Sequence, residues 1–151
     1  MSAVGPKILE ISAVCGDQRC KMLVDTGSAI TILPLKFENK LNLRQTAVKL
    51  TAANGNMITT KGEALIDIHI PGLQKTFRWM VVVADVVNPI LGYDFLSQFD
   101  IHIDCRNNRI IDSNSKRSLK ADVIVANIVQ INVNKLCSIP EVAQSFIDKY
   151  N

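Results

Sequence analysis

The stretch KMLVDTGSAITILP, Lys21–Pro34, carries an apolar run into a single carboxylate, Asp25, follows it with Thr26, Gly27 and Ser28, and returns at once to Ile30, Ile32 and Leu33. Apolar residues on both sides of a short polar insert read as two buried strands joined by a tight turn. An ionised carboxylate at such a place loses solvation, so either the fold compensates it or the chemistry uses it. Two uses are open from these residues alone. The short side chain can start a turn by accepting from the amides of Gly27 and Ser28, or the acid can be held for reaction.

Outward from this stretch the chain keeps a period of two. On the N-terminal side KILEISAV puts Leu9, Ile11 and Ala13 on one face, turns at Gly16-Asp17 and returns through CKMLV, a hairpin that ends in the acid. On the C-terminal side LKFENKL reads as one helical turn. VKLTAANGNMITTKG is a second hairpin with Asn54-Gly55 at its tip, a dipeptide suited to the positive φ angles of a type I′ turn. EALIDIHI places Ala64, Ile66, Ile68 and Ile70 on one face and Glu63, Asp67 and His69 on the other. Pro71-Gly72 breaks that strand, and TFRWMVVVADV resumes, apolar on both faces from Met80, as a central strand requires.

GYDFLSQF is the one short helix expected in the first 112 residues, and IHIDCRNNRII follows as a hairpin turning at Asn107-Asn108. These elements make an all-β domain over residues 1–112. Residues 113–151 read as an appendage: a polar linker SNSKRS, a strand-like ADVIVANIVQINVN, and a helix over SIPEVAQSFIDKY. In that helix Ser138 and Glu141 stand in capping-box register before Val142, Phe146 and Tyr150.

Composition sets the bounds. A chain of 151 residues with 48% hydrophobic but only 5% aromatic residues can bury a core, and that core must be aliphatic. Seventeen Lys and Arg against fourteen Asp and Glu give a net charge of +3. The basic residues are dispersed apart from Arg106, Arg109, Lys116, Arg117 and Lys120, too sparse and too poor in aromatics for a nucleic-acid footprint. No run approaches the roughly 18 apolar residues of a membrane span, and MSAVGPKILE lacks a signal-peptide core, so an intracellular, soluble protein without a membrane partner is expected. Cys15, Cys20, Cys105 and Cys137 form no C-x-x-C pair and are expected as free thiols. Cys15 and Cys20 should face each other across their turn, but a zinc site completed by His102 and Cys105 would match no structural zinc spacing, and no metal or cofactor is expected.

MLVDTGSAITIL taken with PILGYDFL, Pro89–Leu96, resembles the retropepsin-like aspartic proteases (peptidase A2 type), which pair an Asp-Thr-Gly segment with a later apolar-apolar-Gly motif before a short helix. LTAANGNMITTKGEALIDI, FRWMVVVADVVNPILGYDFLSQFDIHID and RNNRIID resemble the proteases in Pol polyproteins of gypsy-type LTR retrotransposons, so the resemblance spans residues 7 to 112. It implies a closed β-barrel with one short helix and an aspartic endopeptidase activity. The appendage resembles the connector between protease and reverse transcriptase.

Pepsin-like chemistry needs two carboxylates about 3 Å apart sharing one proton. This chain has one Asp-Thr-Gly, so the resemblance implies a homodimer in which a second copy supplies the other Asp25. Thr26 would bond across the twofold axis, Gly27 would admit the substrate backbone, and Ile90-Leu91-Gly92 would pack behind the acid loop. The hairpin with Ala53, Asn54 and Gly55 aligns with the family's flap, and Leu23, Ser28, Ala29, Ile30, Ile32, Asn88 and Ile90 fall at or beside substrate-binding positions. Ser28 is also placed to donate to the Asp25 carboxylate.

Mostly aliphatic subsites imply cleavage of extended apolar segments, with the element's own Gag-Pol polyprotein as substrate, in the cytoplasm or in retrotransposon particles. Ala29 and Tyr93 replace an acid and an arginine that brace the dimer in many viral members. An inert dimerisation or peptide-binding module is therefore the alternative.

Overall fold

The computed structural model describes residues 7–125 and 131–133. The expected helix over residues 138–150 and Cys137 lie outside them. The first hairpin forms as read: β1 (Lys7–Cys15) and β2 (Gln18–Val24) pair antiparallel from Leu9↔Val24 to Cys15↔Gln18. Gly16, at φ +64°, supplies the left-handed residue of the two-residue turn. Cys15 and Cys20 sit diagonally, with Sγ atoms 3.4 Å apart. Among the described residues no group of His, Cys, Asp or Glu is gathered as a metal site.

After the acid turn come β3 (Ile32–Pro34) and a single 3-10 turn at Leu35–Phe37, then β4 (Leu50–Ala52) and β5 (Met57–Ile58) of the second hairpin. β6 (Thr60–Ile70) and β7 (Lys75–Ala84) are the long central strands, followed by β8 (Ile90–Leu91) and the helix α1 (Tyr93–Gln98). Neighbours run β1, β2, β8, β3, β7, β6, and β6 pairs back onto β1 through Val14↔His69 and Cys15↔Ile68. A closed six-stranded barrel results, as the sequence implied. Closure removes sheet edges, and the fully buried run Met80–Ala84 marks β7 as its central strand.

Ile11, Met22, Leu33, Ile68, Leu91 and their neighbours fill the barrel with aliphatic side chains. Four of the scarce aromatics gather together. Phe77 and Trp79 of β7 meet Phe95 and Phe99 at centroid distances of 4.9–5.4 Å and tilted or edge-on angles, which fixes α1 against the barrel. Glu63, read on the polar face of its strand, is buried: the loop before β4 crosses it, and Arg44 closes an ion pair of 3.0 Å with reciprocal backbone bonds.

β9 (Ile101–Asp104) and β10 (Arg109–Asp112) form the expected hairpin, turning with Asn108 at φ +54°. Strand pairing does not end at Asp112. β11 (Ser118–Lys120) pairs with β10, and β12 (Asp122–Val125) pairs with β1 from Lys7↔Val125 to Glu10↔Asp122. The reason lies in Asp112 itself, whose buried carboxylate accepts from Lys75, Ser115 and the Asn114 amide while its backbone bonds Lys116 and Arg117. What reads as a polar linker is a tightly bonded turn. β13 (Ile131–Val133) pairs with β4.

Burial disfavours the charged form of Asp112, but hydrogen bonds from Ser115, Lys75 and Asn114 outweigh it and hold its carboxyl below the ordinary range. A depressed folded pKa gives stability that is complete above the unfolded value of about 3.9 and is lost as pH falls through the folded value. Asp112→Asn should therefore cost about 1–3 kcal/mol at neutral pH. Urea unfolding of both proteins across a pH series should show that difference shrinking below about pH 4.

Candidate active site

β2 delivers Asp25 to the open end of the barrel, where its amide donates to the Leu91 carbonyl at 3.1 Å. Leu23↔Ile90 and Val24↔Leu91 pair in parallel just before it, so the Asp25 turn and the Ile90-Leu91-Gly92 segment lie side by side. Asp25 is half-buried, while Thr26 and Gly27 are exposed. The Gly27 amide donates to Asp25 Oδ1 at 2.8 Å, and the Ser28 amide donates to the Asp25 carbonyl at 3.2 Å. The acid thus starts its own turn, as one of the two sequence readings held, and a partly exposed carboxylate remains at the barrel mouth. A Cβ on Gly27 would stand 3.0 Å from Asp25 Oδ1, so glycine here protects the carboxylate's own geometry.

Ser28 does not serve Asp25. Its hydroxyl is fully buried and donates to the Ile30 carbonyl at 2.8 Å, because the turn curls that carbonyl back toward it. The acid loop also caps α1: Ser28 and Ala29 carbonyls accept from the amides of Tyr93 and Asp94 at 2.8 and 3.3 Å. These are helix N-terminal donors that would otherwise lack partners. Gly92 makes the approach feasible. A Cβ on it would lie 2.5 Å from the Ile30 oxygen and 2.9 Å from that of Ser28.

A second set of bonds ties the same parts together. Thr31, fully buried, donates to Asp94 Oδ1 at 2.8 Å and accepts from the Gly92 amide at 3.1 Å, while the Trp79 indole donates to Asp94 Oδ2 at 2.8 Å. Burial pushes the Asp94 carboxyl above its ordinary range, against the pull of the hydrogen bonds from Trp79, Thr31 and the Phe95 amide. Sequence reasoning passed over this trio. The signal was present in the single tryptophan, at the start of the apolar run of its strand, whose N–H needs an acceptor when buried.

The second hairpin stands over a small apolar cluster of Ile32, Val48, Leu50, Val82, Ala84 and Ile90, with Ile30, Ile58 and Val86 packed against it. Residues just after the acid and the base of the hairpin therefore share one cluster. Of the side chains read as substrate-binding, Leu23, Ser28, Ile32 and Ile90 are buried, Ile30 is half-buried, and Ala29, Ala53, Asn54, Gly55 and Asn88 are exposed. Ile32 has no exposed surface. The hairpin tip is not a type I′ turn: Gly55 is at φ +84° but Asn54 keeps a negative φ. Ala52 bonds Asn56, the Gly55 amide donates to the Ala52 carbonyl, and Asn54 Oδ1 accepts from the Asn56 amide. That bonding spends the asparagine as an acceptor and leaves one left-handed residue, the pattern of a three-residue loop.

The family model described as "gag-polyprotein putative aspartyl protease" matches residues 11–98. No curated protein sequence matches the chain. Among solved structures, the retroviral protease-like domain of Ddi1 from Leishmania major superposes with a TM-score of 0.56 at 16% identity, over 84% of this chain and 100% of that one. EIAV protease in complex with the inhibitor HBY-793 superposes with a TM-score of 0.51 at 21% identity, over 69% of this chain and 99% of that one.

If the close approach at Gly92 holds the acid loop, Gly92→Ala must push the Ser28–Ile30 backbone away. The substitution should cost about 1–3 kcal/mol as overpacking. It should appear as a lower urea midpoint with an unchanged m-value.

Proposed function

The chain belongs to this gag-polyprotein aspartyl protease family, and from that premise we propose that it is an aspartic endopeptidase, active as a homodimer, that cleaves extended apolar segments of polypeptide. The observation that carries the reading is Asp25: one carboxylate, oriented by the Gly27 amide and open to solvent at the barrel mouth. A second copy brings a second Asp25 to a twofold axis, and two carboxylates that close share a proton. The ionised one takes a proton from a water as its oxygen attacks the scissile carbonyl carbon. The protonated one donates to the carbonyl oxygen, and the amide nitrogen then leaves protonated.

The exposed face beside Asp25 suits a second copy. Thr26, Tyr93, Leu96, Ile101 and Ile103, together with the polar Ser97 and Asp100, line a shallow depression there of about 270 Å³, with Tyr93 59% exposed. Thr26 is free to bond its counterpart across the axis. Peptide enters between the acid loop and the β4–β5 hairpin, beside the half-exposed Ile30. Polyprotein processing in a gypsy-type retrotransposon, with Gag-Pol as substrate, is the biological setting this reading favours.

Ala29 and Tyr93 cannot form a charged brace between subunits, which favours a weak dimer and leaves an inert peptide-binding module as the second reading. Specific activity on an apolar peptide library should rise with protein concentration, as mass action requires when only the dimer is competent. Flat activity, with a monomer in sedimentation, would refute the dimer.

Asp25→Asn should abolish turnover while leaving the unfolding free energy from urea titration within about 0.5 kcal/mol of wild type, since the amide retains the acceptor oxygen but not the base. Turnover by the pure variant would refute the mechanism, and a wild-type dimer that binds peptides without cleaving them would select the inert module.

A further inference from the structure

We propose that residues 131–133 of the same chain, paired along the outer edge of β4, act as a tethered competitor of extended peptide at that edge. β13 pairs antiparallel with β4 through Ile131↔Ala52, Asn132↔Thr51 and Val133↔Leu50, giving a sheet in the order β13, β4, β5. β4 has two edges. One is filled by β5, through Leu50↔Ile58 and Thr51↔Met57. The chain then runs directly into β6, where Thr60 pairs with Ala84 and Asp85 bonds the Thr59 carbonyl, so the β5 side is joined to the barrel. An extended peptide that adds a strand to this hairpin is left with the edge that β13 takes.

The backbone directions identify the pair that matters. Ala52 sends its amide and carbonyl toward the hairpin turn, to Asn56 and Gly55. Successive residues of a strand point these groups to opposite sides, so those of Thr51 face β13, where Asn132 stands opposite. The occupant also partly matches the composition proposed for substrate, since apolar Ile131 and Val133 flank Asn132 in IVQINVNK, half of whose residues are apolar. Leu50, at the other end of the pairing, belongs to the cluster that contains Ile32 and Ile90. A peptide on this edge is thus tied through one apolar cluster to the segment that follows Asp25.

The inference rests on the peptidase reading, and the test separates the two. In the full chain, Asn132→Pro removes the N–H that faces Thr51, whereas Asn132→Ala keeps it. The proline variant should exchange the Thr51 amide faster by hydrogen-exchange NMR. It should also cleave an extended apolar peptide with KM lowered about tenfold and kcat unchanged, because a tethered occupant competes at millimolar effective concentration. The alanine variant should match wild type in both. A synthetic peptide of residues 128–135 should inhibit the proline variant competitively, and wild type more weakly.

Unchanged Thr51 exchange in the proline variant, or faster exchange with unchanged KM, would overturn the proposal. If no form of the chain cleaves peptide, the peptidase reading fails by itself. Anisotropy of the labelled 128–135 peptide then decides the edge: tighter binding to the proline variant than to wild type supports it, and equal binding refutes it.

Discussion

The backbone of Gly92 lies against the carbonyls of Ser28 and Ile30, closer than any side chain would allow, and the geometry of the candidate site follows from that approach. The acid loop has few apolar contacts of its own: Thr26, Gly27 and Ala29 are exposed. Its position comes instead from backbone polar groups that find partners across the chain. The Asp25 amide meets the Leu91 carbonyl, and the Ser28 and Ala29 carbonyls meet the first amides of α1. Each side satisfies groups that the other would leave bare, so the loop and the helix start stabilise each other.

The Thr31–Asp94–Trp79 trio extends this contact into the barrel. Trp79 belongs to β7 and to the aromatic group that holds α1, so one side chain serves both packing and polar satisfaction. Here Ala29 and Tyr93 offer no charges, and the bracing observed is internal to one chain. The loop is thus held in shape by its own chain alone.

The β4–β5 hairpin is built to opposite rules. Its base shares an apolar cluster with the residues after the acid, but Ala53, Asn54, Gly55 and Asn56 at its tip are exposed. Few buried contacts at the tip and a rooted base make the tip the least constrained part of the hairpin. The outer edge of β4, which would otherwise stay open to any extended segment, is taken by β13.

The sequence by itself determined the strands, the first hairpin, the short helix over Tyr93–Gln98 and the aliphatic core, and it singled out Asp25, because each rests on local periodicity or on a motif a few residues long. The glycine at position 92 was legible for the same reason: a motif announced a close approach, and the Ser28 and Ile30 carbonyls supply it. Only tertiary structure decided where polar side chains spend their bonds. Ser28 turned from Asp25 to the Ile30 carbonyl, Asn54 took a turn amide in place of a left-handed φ, and Glu63 was buried by Arg44 from a distant loop. Tertiary structure alone also carried the sheet past Asp112, since a carboxylate reads as solvated until Lys75, thirty-seven residues earlier, is brought against it. Apolar periodicity is a property of neighbours along the chain, whereas a hydrogen bond belongs to whichever partners the fold brings within about 3 Å.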